Sequence, residues 1–152
     1  MPIDLAAPSG HQSQQYDCLY RARGDEVNEY GPVLTGDVFT KVRTFSPATE
    51  KWKLRDVVVV QHPCALRDDG VNRTPNLLVV EVAPHGPIED WTGHGKLMPL
   101  PDLFPQARAN RRYQAAMFKK LFLVVVVAAA SLYLQRRVAC LSQEGIDLLV
   151  QR

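Results

Sequence analysis

The chain has 152 residues, with 18 Lys and Arg against 16 Asp and Glu, 46% hydrophobic residues, 9 Gly and 11 Pro. This is globular composition for one domain, large enough to stay folded without a disulfide framework or a structural metal. It excludes an intrinsically disordered chain, a collagen and a solenoid.

Residues 1–15 mix Pro, Ser, Gly, His and Gln without periodic apolar character, so a loose N-terminal tail is expected ahead of a single domain over 16–152. Val33 to Phe45 alternates apolar and polar residues after Gly36, which predicts a half-buried strand with Val38 and Thr40 on one face and Phe39 and Lys41 on the other, ended by Pro47. Asp56 to Gln61 (DVVVVQ) and Leu77 to Val82 (LLVVEV) read as central strands, joined by a loop rich in Asp, Gly, Asn and Pro. Ala83 to Pro105 holds five prolines and reads as a long loop containing one strand, Lys96 to Leu100.

Residues 106–118 carry helix formers without Gly or Pro, and a short helix is expected there. Leu121 to Leu134 (LFLVVVVAAASLYL) is a 14-residue apolar run. A membrane helix needs about 20 residues, and four consecutive valines favour a strand buried on both faces. At the C-terminus Ser142 is a good N-cap with Glu144 in the first turn, and Ile146, Leu149 and Val150 share a stripe of a final helix. Short meandering strands escape their edge problem by curling, so the expected fold is mainly β with short helices, a small barrel with a C-terminal helix.

Cys18, Cys64 and Cys140 form no CxxC pair, and there is no basic-then-apolar N-terminal signal, which points to reduced thiols in the cytoplasm. Charge is unevenly spread. Residues 1–102 sum to −4 and residues 103–152 to +6. Between Asp102 and Glu144 there is no acid, while Arg108, Arg111, Arg112, Lys119, Lys120, Arg136 and Arg137 all fall there. Such a run is a candidate phosphate-binding face for RNA; the alternative is that it solubilises the flanks of an apolar segment or meets the acidic half internally.

Several stretches together resemble one family. Gly36-Asp37-Val38-Phe39, Arg55-Asp56-Val57-Val58-Val59-Val60-Gln61, Leu78-Val79-Val80-Glu81-Val82-Ala83-Pro84 and Arg137-Val138-Ala139-Cys140-Leu141-Ser142-Gln143-Glu144-Gly145-Ile146 occur in that order. The set resembles the MazF/PemK-like toxins over about residues 33–152. The resemblance implies an SH3-like barrel, a homodimer, an antitoxin-like protein partner in a toxin-antitoxin or defence system, and endoribonuclease activity without a metal cofactor. It places Arg55 at the catalytic arginine. Asp56 follows it where the family has proline, and Ala83-Pro84-His85 stands where the family has Thr or Ser. A non-catalytic protein-interaction module on the same barrel is therefore the competing reading.

The remaining candidate chemistry is His62-Pro63-Cys64 past one strand, His85 at the end of the next, and His94 in the loop beyond. If those strand ends converge, His62 or His85 could act as the base beside Arg55, Cys64 could act as a nucleophile, or His62, Cys64, His85 and His94 could ligate zinc. The plainer reading makes Cys64 a small buried residue and His62 a cap. Trp52 and Trp91 read as packing on the barrel rim rather than base-stacking platforms.

Overall fold

The computed structural model describes residues 16–28, 31–67, 70, 74–86, 96–105, 113–125 and 136–150. The strands among them are β1 (Tyr20–Arg23), β2 (Asp37–Ser46), β3 (Lys51–Val59), β4 (Asn76–Pro84), β5 (Leu97–Pro101), β6 (Tyr113–Val125) and β7 (Arg137–Leu141), followed by helix α1 (Gln143–Val150). They form one antiparallel sheet in the order β1-β7-β2-β3-β4-β6-β5. The sheet curls until Phe45 of β2 pairs with Leu123 of β6. On the opposite flank the Tyr20 hydroxyl of β1 donates to the Pro101 carbonyl of β5, at 3.0 Å.

The valine runs explain the curl, because each face of the sheet carries its own core. Val58, Val80 and Val82 join Met98, Leu100 and the α1 residues Leu148 and Leu149 on one face. Val57, Val59, Leu77 and Val79 meet Phe39, Phe122 and Val124 on the other. A β-branched run buried on both sides fits such a strand.

Of the irregularities in the pairing, two shape the surroundings of Arg55. In β2 the pairing with β3 slips between Phe39 and Val42, and Lys41 takes the left-handed φ of 50°. This bulge reverses the side-chain alternation, so Val42 joins Phe39 rather than Val38. In β6 the pairing with β4 steps from Val80↔Leu121 to Glu81↔Met117, which leaves residues 118–120 as a bulge beside Glu81.

The expected central strands are present with shifted bounds: β3 starts at Lys51 rather than Asp56 and ends at Val59 rather than Gln61, and β4 runs past the expected Leu77–Val82 at both ends, from Asn76 to Pro84. The helix expected over 106–118 is not: residues 113–118 are strand, and 106–112 lie outside the described residues. Ala115 and Ala116 pack without exposure between β4 and β5, a tertiary gain that overrides their helix propensity. The apolar run from Leu121 is strand to Val125, but Leu121 itself is 49% exposed, so the run is not buried on both faces there. Residues 1–15 and 126–135 lie outside the described residues. No described helix is long and apolar enough to cross a membrane.

Helix α1 begins as expected. Ser142 Oγ accepts from the Gly145 amide at 3.1 Å and donates to the Cys18 carbonyl. Its buried face, however, is Gly145, Leu148 and Leu149, with Val150 exposed. Gly145 sits so close to Leu19 that a methyl group would overlap the Leu19 carbonyl oxygen. Gly145→Ala is therefore expected to lower the thermal midpoint by several degrees, from about 1–3 kcal/mol of overpacking. In an unobstructed helix the same change would stabilise by about 1 kcal/mol, so the sign of the shift in a melting experiment decides the matter.

Candidate functional site

Arg55 lies near the middle of β3, on the face of the second core and opposite Val42 of β2; its diagonal neighbours on that face are Thr44 of β2, paired with Lys53, and Glu81 of β4, paired with Val57. Its Nη1 donates to Thr44 Oγ1 at 2.7 Å, and that hydroxyl donates to the Lys53 carbonyl at 3.0 Å. The guanidinium carbon stands 3.8 Å from the centroid of the Phe122 ring, a cation–π contact. Nε is 3.8 Å from Glu81 Oε1 and is buried without a hydrogen-bond partner. Only 13% of the side chain reaches solvent. Arg55 is thus not a solvated strand-end charge.

Glu81 interrupts the apolar run of β4, and the β6 bulge brings Lys120 over it, with Nζ 3.0 Å from Oε2. Lys120 is half exposed, and pairs of this kind contribute under ~1 kcal/mol to stability. Its ammonium can be redirected toward another anion at little cost. Glu81 therefore stands between two cations, Arg55 deeper in the sheet and Lys120 toward solvent.

The β2 bulge shapes the approach to this cluster. The Lys41 amide donates to Asp56 Oδ1 at 2.9 Å, and its carbonyl accepts from Arg136 Nη1. Left-handed backbone at a lysine costs on the order of 1–2 kcal/mol, and these two partners hold it. Lys41, Asp56 and Pro84 form a wall shared by two adjoining clefts. One, of about 240 Å³, also takes in Lys53, Arg55 and Glu81. The other, of about 550 Å³, is completed by Thr40, Phe104, Gln114 and Val138.

The histidines and Cys64 do not join this site as a group. His62 Nδ1 accepts from the Cys64 amide at 3.2 Å and caps the short 3-10 turn Pro63–Ala65, with both side chains exposed. Cys64 is therefore not a buried residue either. Because β3 and β4 are antiparallel, their C-terminal ends lie at opposite ends of the pair. The chain just before His62 lies beside Leu78, whose carbonyl accepts from Val60, and His85 is seven residues of extended chain further along, roughly 23 Å at ~3.3 Å per residue. The expected convergence of His62, Cys64 and His85 fails on this direction. Among the described residues no group of His, Cys, Asp and Glu could hold a metal ion, and His94 lies outside them.

The basic run also divides. Lys119, Lys120 and Arg136 are exposed. Arg137 is not available to a phosphate: its side chain is 3% exposed, it pairs with Asp37 at 3.2 Å, and it donates to the carbonyls of Asn28, Gly31 and Pro32. Burial pushes the Asp37 carboxyl up from the ordinary range, against the pull of the Leu34 amide and Arg137. Arg108, Arg111 and Arg112 lie outside the described residues.

Cys140 is buried, and that burial, with Asp37 nearby, pushes its thiol up. A folded sample treated with Ellman's reagent is expected to release the Cys64 equivalent rapidly and to protect Cys140 until denaturant is added. Rapid labelling of Cys140 in the native protein would contradict its burial.

Sequence reasoning reached Arg55 but missed Glu81, Lys41 and Lys53. A lone acid inside LLVVEVAP was the available signal for Glu81. Comparison of the chain with models of known protein families and with curated proteins found no match.

Proposed function

We propose that this chain is an RNA-binding protein of MazF/PemK-like type, its curled sheet an SH3-like barrel, and that it cleaves RNA at the cleft where Glu81 stands between Arg55 and Lys120. The observation that carries the reading is that carboxylate, held between two cations in the wall of an open cleft. Glu81 takes the proton of a ribose 2′-hydroxyl, the 2′-oxygen forms its bond to phosphorus, and Arg55 and Lys120 stabilise the charge on the phosphorane. As the bond from phosphorus to the 5′-oxygen breaks, Lys120 delivers a proton to that oxygen. The products are a 2′,3′-cyclic phosphate and a 5′-hydroxyl, and solvent restores both side chains. Lys41 and Lys53 line the cleft and add phosphate contacts. By the same resemblance the protein works as a homodimer held in check by an antitoxin-like partner.

The competing reading, a non-catalytic interaction module, draws on the enclosure of Arg55 by Thr44, Glu81 and Phe122. Incubation of the purified protein with long single-stranded RNA, with and without chelator, separates the two. Cleavage that survives chelation, leaving cyclic phosphate ends, supports the enzyme. Intact RNA at high protein concentration supports the module.

A further inference from the structure

The β2–β3 hairpin carries an exposed aromatic surface that the cleft does not use. In register, Trp52 of β3 pairs with Phe45 of β2, Phe45 with Leu123 of β6, and Leu123 with Leu78 of β4. Directly paired residues share a face, so the four form an apolar row across four strands. Trp52 is 46% exposed and the adjacent Leu54 58%. Its indole is tilted against Phe45 at 5.2 Å between centroids, and the Arg43 guanidinium lies 4.8 Å from its centroid. Both contacts fix the ring with a large part of its surface in solvent.

The surrounding charge is one-sided. Arg43, Lys51 and Lys53 are all exposed on this hairpin, against Glu50 at its turn. Along Lys51-Trp52-Lys53-Leu54-Arg55 cations alternate with apolar residues, so each indole or leucine on one face is flanked by cations whose stems leave from the other. An aromatic ring held in solvent among cations suits a stacked base with its phosphates, and against three cations a protein partner of mixed charge would find a single carboxylate, Glu50.

We propose that Trp52 is a base-stacking platform for single-stranded RNA, with Arg43 and Lys51 contacting the flanking phosphates. The proposal rests on the RNA reading above but concerns a different surface: Trp52 is three residues from Arg55, roughly 10 Å along β3, and on the opposite face. It adds one or two nucleotides of contact beyond the cleaved bond.

The test uses a non-cleavable probe, a 12-nucleotide 2′-O-methyl oligouridine, and a Trp91→Phe background in which Trp52 is the only indole. Binding is expected to quench the Trp52 fluorescence, and Trp52→Ala, assayed by oligonucleotide anisotropy, is expected to weaken binding about tenfold while Trp52→Phe retains most of it. Cleavage of a dinucleotide, which fills only the cleft, is expected to be unchanged in Trp52→Ala. Probe binding without quenching, or equal affinity in Trp52→Ala, overturns the platform even if long RNA is cleaved. Quenching by the probe without any cleavage of unmodified RNA leaves the platform standing and removes the catalytic reading. A shift from dimer to monomer in Trp52→Ala at unaltered probe affinity assigns the row to a contact between copies, and overturns the proposal. Absence of probe binding overturns it together with the RNA reading.

Discussion

Replacing Arg137 by Met is expected to lower stability by about 3–5 kcal/mol, a large share of what a domain of this size possesses. The change strips Asp37 of its buried partner and leaves the carbonyls of Asn28, Gly31 and Pro32 without the donors that tie them to β7. At about 2–4 °C per kcal/mol the melting temperature should fall by roughly 6–20 °C. The loss should grow with pH. Without Arg137 the Asp37 carboxyl is held protonated in the fold well above the unfolded value of ~3.9. The mutant is then most stable below about pH 4 and loses stability as pH rises, until the carboxyl ionises in the folded state as well. The double variant Asp37→Asn/Arg137→Met should be less damaged than the single changes sum to, because no uncompensated charge remains. A melting temperature within two or three degrees of the parent for Arg137→Met would show that the pair is not the tether described.

Glu81→Gln is expected to reduce RNA cleavage by about 10²–10⁴-fold, the usual worth of a positioned base, while the melting temperature changes little. Glutamine keeps the shape of the side chain and can still accept from Lys120, so the fold should tolerate it. Lys120→Ala should lose cleavage without loss of stability, since its ion pair is half exposed. Arg55→Ala is a poorer probe: it removes the donor to Thr44 and the contact with Phe122, so activity and stability should fall together. Gel quantification of the cyclic phosphate product across the three variants checks this. Cleavage by Glu81→Gln at the parent rate would remove Glu81 from the chemistry.

The strands were legible where a residue run is buried on both faces. Val57 to Val60 declares itself because no other element takes four β-branched residues in a row so readily, and Leu77 to Val82 because it is a short apolar run closed by Pro84. The start of β3, Lys51 to Leu54, pairs with β2 alone and is exposed on both faces; its alternation of cation and apolar residue was a legible strand signal, overshadowed by the valine run that follows. Residues 113–118 escaped because their alanines are helix formers by propensity and strand residues by packing. At the site, Arg55 was reached through resemblance, but its neighbours depend on register. The bulges at Lys41 and at residues 118–120 decide which side chains face Arg55, and neither leaves a mark in composition. The histidine cluster failed on strand direction, which a list of strand ends does not contain.

Strand β1 has consequences for how the chain is made. It pairs with β7 through Tyr20↔Leu141, and the Ser142 amide donates to the Leu19 carbonyl. At ~5–20 residues per second a ribosome needs roughly 6–24 s between Tyr20 and Leu141, and during that time β1 has no strand to pair with. The edge strand that closes one flank of the sheet is thus translated first and docked last. Its short length, four residues with two arginines, keeps that waiting segment from recruiting a strand of another nascent chain.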